Sequence, residues 1–151
     1  MSAYTIVLAL HNIMRWLVLL AGLIAAGRAL YLWLGRRDWT SMDGQPGLFF
    51  VIAMDLQLLL GLLLYVVLSP ITTGGFRDFG AAMSNSGIRF FLVEHALTMV
   101  VAVVLAHIGR AMSRRATDGQ AKARTAAIFY TLALIVMLLG TPWFRPLLPT
   151  M

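Results

Sequence analysis

Four long hydrophobic runs, separated by short polar segments, decide what this chain can fold into. They cover approximately residues 4–34, 48–68, 87–109 and 126–141. A helix crosses a bilayer with about 20 mostly apolar residues, so each run is a candidate membrane span. With 60% hydrophobic and 12% charged residues and a mean hydropathy of +0.85, the composition excludes an ordinary soluble domain. The 151 residues therefore predict an all-α, single-domain membrane protein: an antiparallel bundle of four transmembrane helices in contact with the lipid bilayer.

Most of the basic residues that flank the hydrophobic runs lie on one side. Two follow the first run and five separate the third run from the fourth: Arg36, Arg37, Arg110, Arg114, Arg115, Lys122 and Arg124. The positive-inside rule places such segments in the cytoplasm and predicts an N-out/C-out protein of the bacterial inner membrane. The net charge of +6 is then a sign of topology, and we expect no nucleic-acid partner.

The opposite side carries few charges. A Gly-rich connection at residues 72–80, expected to be a short loop, and a short tail containing residues 146–149 are both expected to lie outside. The first run lacks a basic leader and a small-residue cleavage site, so we expect a retained helix rather than a signal peptide.

The chain contains no cysteine. Thiolate metal sites, iron–sulfur clusters and covalently attached c-type haem are therefore excluded. Any redox cofactor has to be held by nitrogen, oxygen or methionine sulfur. Met99, one turn after His95, is the methionine best placed to contribute.

Two histidines are the strongest candidates for a functional site, because ionisable residues are costly inside a membrane. His11 and His95 lie in the first and third runs, which cross the membrane in the same direction and should hold them at similar depth. In a ring of four helices these runs are diagonal, so the two imidazoles would face each other across the bundle axis. This arrangement predicts haem b, with His11 and His95 as its axial metal ligands.

Charged and small residues near the two histidines extend the predicted site. Arg15, one turn from His11, and Arg89 are candidate partners for haem propionates. Glu94 could accept a hydrogen bond from an imidazole or a quinol, but an ion pair with Arg15 or Arg89 is favoured. Two small residues, Gly22 and Gly61, would let a porphyrin approach the helix backbone.

Structural explanations remain open for each ionisable residue. His11 could anchor the first helix at the interface, and His95 could be a buried imidazole bonded to a neighbouring helix. His107 lies too far along the third run to share a site with His95 and is expected to be structural. For Asp55, pairing with Arg28 is favoured over a place in a proton path.

Several stretches together resemble a family of small bacterial four-helix membrane proteins that are labelled cytochrome b-like. They are residues 10–16 (LHNIMRW), 55–61 (DLQLLLG), 88–95 (IRFFLVEH) and 141–143 (TPW). The resemblance extends over nearly the whole chain. It implies that His11, Arg15, Glu94 and His95 are the residues that matter for function.

These observations favour a b-type haem electron-transfer protein, or a subunit of a respiratory or photosynthetic complex, that exchanges electrons with quinol near the outer face. The alternative is a haem-free accessory subunit, or a quinone-binding subunit, that stabilises a larger membrane complex. Both interpretations imply other membrane protein subunits as partners. No nucleophile elbow, phosphate-binding loop or dinucleotide fingerprint is present, which argues against a self-contained enzyme.

Overall fold

Four helices dominate the computed structural model, which describes residues 2–145. Each is long and apolar enough to cross a membrane: Ala3–Leu34, Ser41–Leu68, Ser86–Arg115 and Gly119–Gly140, named here spans one to four. The described residues form no β-strand. The predicted all-α fold with four membrane spans is therefore confirmed.

Spans two, three and four extend further toward their basic ends than the hydrophobic runs predicted. Span two begins with a 3-10 turn, Ser41–Gly44, in which Thr40 and Asp43 form a capping box. Span four begins at Gly119 because the Asp118 carboxylate accepts hydrogen bonds from the two backbone N–H groups of Gln120 and Ala121. These helices begin before the hydrophobic runs at 48 and 126, since their polar first turns carry capping signals but little hydropathy.

Spans two and three each contain a π-helical turn. Span two runs as an α-helix from Gln45–Leu63 and finishes with the π turn Leu64–Leu68. Span three has its π turn at Phe90–Glu94, and the backbone N–H of His95 donates to the carbonyl of Phe90. The Tyr65 hydroxyl donates to the Leu92 carbonyl at 2.7 Å and so joins the two turns. A π turn adds a residue to the helical repeat and thereby rotates the side chains that follow it.

The connection between spans two and three is helical, not the short loop expected for residues 72–80. It forms two short helices, Pro70–Arg77 and Phe79–Ser84. Thr72 is buried, and its hydroxyl donates to the Tyr65 carbonyl at 2.8 Å, which ties the first short helix to span two. The tail at residues 146–149 lies outside the described residues.

The spans form a ring in sequence order. Spans one and two, three and four, and four and one pack closely, spans two and three touch less, and spans one and three are diagonal. The tight contacts rest on small side chains, which let helix backbones approach closely in a membrane. Alanines dominate this core: Ala25, Ala26, Ala29, Ala102, Ala106, Ala123, Ala126, Ala127 and Ala133.

Two contacts differ from the expected pairing of Asp55 with Arg28, one of them an ion pair and the other a hydrogen bond between a carboxylate and a histidine. Arg28 Nε donates to Asp43 Oδ1 at 2.7 Å, and Asp55 Oδ1 lies 2.8 Å from Nε2 of His107. Asp43 stands in the first turn of span two, at the level of Arg28, whereas Asp55 is 12 residues or about 18 Å further along the helix. The expected pair was wrong because the spans start nearer the basic end than predicted.

Candidate cofactor site

A cavity of about 840 Å³ lies in the half of the bundle opposite the basic end. All four spans line it, with apolar side chains over most of its wall and polar side chains at His11, Arg15, Gln57 and His95. Its volume is within the range of about 300–1,000 Å³ found for small-molecule and cofactor pockets. The looser contact between spans two and three leaves this space open.

His11 and His95 meet in this cavity from diagonal spans. Their ring centres are 6.4 Å apart and their planes are inclined by 76°. A bond from a transition metal to an imidazole nitrogen is about 2 Å long, and the centre of the ring lies about 1 Å beyond that nitrogen. Two imidazoles that bind one metal from opposite sides therefore have ring centres about 6 Å apart. The observed separation fits a six-coordinate haem iron held from both faces.

The ring of His95 is oriented by span four. Its Nδ1 lies 2.7 Å from the Gly140 carbonyl oxygen, which can only accept a hydrogen bond, so Nδ1 carries the proton and donates. The lone pair is then on Nε2, the nitrogen available to the cavity. A histidine that ligates a metal characteristically donates its other ring N–H to a carbonyl in this way.

The ring of His11 is held by span two. The side-chain amide of Gln57 donates to the His11 carbonyl at 3.0 Å, and the same nitrogen lies 3.3 Å from Nε2 of the ring. Gly61 faces the ring so closely that an added Cβ would be 3.2 Å from His11 Cε1. Gly61 therefore provides room for the imidazole, while Gly22 packs against Phe50, away from the cavity.

Several buried polar atoms around the cavity have no hydrogen-bond partner among the described residues. They are Nδ1 of His11, Nε and Nη1 of Arg15, and Oε1 of Gln57. Buried polar groups are nearly always satisfied, and leaving one unpaired costs about 1–3 kcal/mol. Four such atoms on three side chains lining one cavity are suited to a polar or anionic ligand group. Arg15 is only 8% exposed, so it faces inward instead of extending to the interface.

Arg89 and Glu94 are not part of this cluster. Arg89 Nε donates to Glu94 Oε1 at 2.9 Å, and the two side chains are 45% and 49% exposed. Neither residue lines the cavity. The ion pair favoured for Glu94 is thus present, but it lies outside the wall that holds His11, His95 and Arg15.

Two residues that line the cavity were not assigned to the site from the sequence. Gln57 is in the stretch 55–61 that carries the family resemblance, but its contact with His11 depends on how spans one and two are rotated. Arg145 follows span four, and its guanidinium carbon lies 4.8 Å from the ring centre of Phe91. Arg145 is therefore a second cation at the cavity wall, in the position expected for Arg89. Met99 also lines the cavity.

Within the described residues, no three side chains of His, Cys, Asp or Glu converge on a common metal position. No protein-family model, curated protein or solved structure matches the chain. The function of the cavity therefore has to be argued from its own geometry.

Proposed function

We propose that this protein is a b-type haem electron-transfer protein of the bacterial inner membrane, with His11 and His95 as the axial ligands. The observation that supports it best is the 6.4 Å separation of the two imidazole rings inside a mostly apolar cavity of about 840 Å³. Bound haem would supply a one-electron carrier whose potential the protein tunes. In this proposal the chain acts together with other membrane protein subunits.

The surrounding residues have distinct roles in this proposal. The Gly140 carbonyl fixes the His95 ring with Nε2 toward the cavity, and Gln57 positions His11. Arg15 offers two buried donor nitrogens without partners, which suit a propionate oxygen. Arg145 offers a second cation at the cavity wall. The apolar side chains would exclude water, so that the charges of Arg15 and Arg145 would act on the haem with little screening.

Access from the bilayer supports exchange with a membrane-dissolved quinol. Leu62 of span two and Leu97 of span three line the cavity and are 45% and 61% exposed, as expected for side chains at an opening between these spans. The cavity thus reaches the lipid between these spans. The same observation favours a second candidate function, in which the cavity binds a quinone head group and Arg15 and Gln57 contact its oxygens.

The absorbance spectrum of purified protein distinguishes the two candidates. In detergent, the dithionite-reduced minus air-oxidised spectrum should show the sharp alpha band of six-coordinate b-type haem. We expect His11→Ala and His95→Ala each to abolish the band. His107→Ala is the matched control, because His107 lies outside the cavity and pairs with Asp55; it should leave the band unchanged.

A folded, iron-free protein without this band would contradict the haem proposal. Quinone binding would then be measured by fluorescence quenching with a short-chain quinone. Loss of quenching in Arg15→Met and Gln57→Leu would identify the cavity as the quinone site. A band that survives both His11→Ala and His95→Ala would exclude these residues as the ligands.

A further inference from the structure

A second, smaller cavity lies at the basic end of the bundle. Its volume is about 390 Å³, and it is enclosed by the turn that begins span two and by the facing ends of spans three and four. It shares no lining residue with the cavity around His11 and His95. The proposed electron-transfer function does not use it, so its chemistry needs a separate explanation.

Three cations line this cavity: Arg110 and Arg114 from span three, and Lys122 from span four. The one carboxylate that lines it, Asp43, already accepts hydrogen bonds on both of its oxygens. Asp43 Oδ1 accepts from Arg28 at 2.7 Å, and Oδ2 accepts from the backbone N–H and the hydroxyl of Thr40 at 2.8 and 2.7 Å. Over residues 2–145, no carboxylate lies within 4.0 Å of the three cations. The cavity thus has an excess of positive charge.

Two hydrogen bonds join the elements that carry these cations. Arg110 Nη1 donates to the Gly44 carbonyl at 3.2 Å, which links span three to the turn before span two. The Ser113 hydroxyl, buried within the bundle, donates to the Lys122 carbonyl at 3.0 Å and joins span three to span four. The backbone that carries Arg110, Arg114 and Lys122 is therefore fixed by contacts between the elements, and the Arg110 side chain is itself held by a hydrogen bond.

The depth of the cavity indicates where such an anion would come from. Arg114 and Lys122 lie in the last turn of span three and the first turn of span four, where membrane helices leave the hydrocarbon. Trp39, which also lines the cavity, is typical of the membrane interface. Basic pockets between spans on the cytoplasmic side are suited to the phosphate of an anionic head group.

We propose that this cavity binds a phosphate group, presented either by an anionic lipid head group or as free inorganic phosphate. Arg110 and Arg114 would contact the phosphate oxygens through guanidinium N–H groups, and Lys122 would add a point charge. A bound head group would connect three of the four spans at this end. Binding would consequently stabilise the bundle against unfolding.

The test uses two double variants with the same change in charge. Arg114→Gln with Lys122→Gln removes two cations that line the cavity, and Arg115→Gln with Arg124→Gln removes two exposed neighbours that do not. Binding of phosphatidylglycerol to the full chain in detergent is measured by native mass spectrometry, with phosphatidylcholine as the uncharged reference. We expect the first variant to bind phosphatidylglycerol about tenfold more weakly or worse, since each lost charge-assisted hydrogen bond contributes on that order. The second variant should bind like the unmodified chain.

Equal loss in both double variants would mean that binding reflects net charge alone, and normal binding in the first would mean that Arg114 and Lys122 do not contact the phosphate. Either result would overturn the proposal. The single variants Lys122→Gln and Arg124→Gln repeat the comparison if either double variant fails to fold. Inorganic phosphate separates the two sources. If millimolar phosphate displaces phosphatidylglycerol and raises the unfolding temperature only when Arg114 and Lys122 are present, the free ion is a ligand. If it does neither while the lipid still binds, the head group is the ligand.

Discussion

Arg15 has surroundings that are unusual for a basic residue in a membrane helix. It is 8% exposed, two of its donor nitrogens are buried without a partner among the described residues, and its guanidinium carbon lies 5.3 Å from the ring centre of Trp16. Arg28, on the same helix, is paired with Asp43. A buried charge without a partner lowers the stability of the folded protein. Removing one member of a buried ion pair also lowers stability, because the other charge is left without a partner. On the proposed function Arg15 contacts the bound cofactor, whereas Arg28 joins span one to the start of span two through Asp43.

Substituting these two arginines should change stability in opposite directions. In cofactor-free protein, Arg15→Met should raise the free energy of unfolding by about 1–3 kcal/mol, because it removes unsatisfied buried donors. Arg28→Met should lower it, because it leaves Asp43 buried without its cation. Unfolding in increasing fractions of SDS, followed by circular dichroism, measures both. Haem content, on the proposed function, should fall in Arg15→Met only. A loss of stability in Arg15→Met would mean that its guanidinium has a partner in the folded protein.

At the scale of helices, span three is positioned by close contact with span four and by its π turn. The backbone of Gly140 in span four lies directly against Thr98 and Met99, and its carbonyl accepts the hydrogen bond from His95. The π turn at Phe90–Glu94 immediately precedes His95, and Tyr65 joins it to span two. The orientation of His95 thus depends on contacts with spans two and four as well as on its own span.

Gly140→Ala tests this close contact. The added Cβ would collide with the Thr98 hydroxyl and lie 2.8 Å from Thr98 Cβ. We expect a loss of about 1–3 kcal/mol in the free energy of unfolding, as for overpacked cores, together with a weakened His95 hydrogen bond. Gly27→Ala is the control, because nothing lies within 4 Å of its added Cβ. It should be neutral or stabilising by up to about 1 kcal/mol. Equal effects of the two substitutions in SDS unfolding would contradict a close approach at Gly140.

At the scale of the whole molecule, the bundle has two chemically different ends. One end holds the mostly apolar cavity with His11 and His95, and the other holds the basic cavity with Arg110, Arg114 and Lys122. The Asp55–His107 pair bridges spans two and three at intermediate depth. This division follows the positive-inside pattern of the sequence, which predicts that the basic end faces the cytoplasm.

The absence of cysteine makes the orientation directly measurable. Ser2→Cys and Thr117→Cys each introduce a single thiol, the first before span one and the second between spans three and four. With a membrane-impermeant maleimide added to intact cells in which the outer membrane has been permeabilised, we expect Ser2→Cys to be labelled and Thr117→Cys to be labelled only after lysis. The reverse pattern would contradict an N-out/C-out protein and would place the His11–His95 cavity on the cytoplasmic side.

The sequence by itself determined the number of spans and the predicted orientation, because hydropathy over some 20 residues and the flanking charges are local properties. It also singled out His11 and His95, since a ring of four antiparallel helices brings the first and third together at similar depth. Only the tertiary structure decided which polar groups have partners. The Arg28–Asp43 ion pair, the Asp55–His107 hydrogen bond, the unpartnered nitrogens of Arg15 and the exclusion of Arg89 and Glu94 from the cavity all depend on helix starts, π turns and rotations about the helix axes. The π turns and the rotations of the helices are set by the packing of one helix against another, so they cannot be predicted from the hydropathy of a single run.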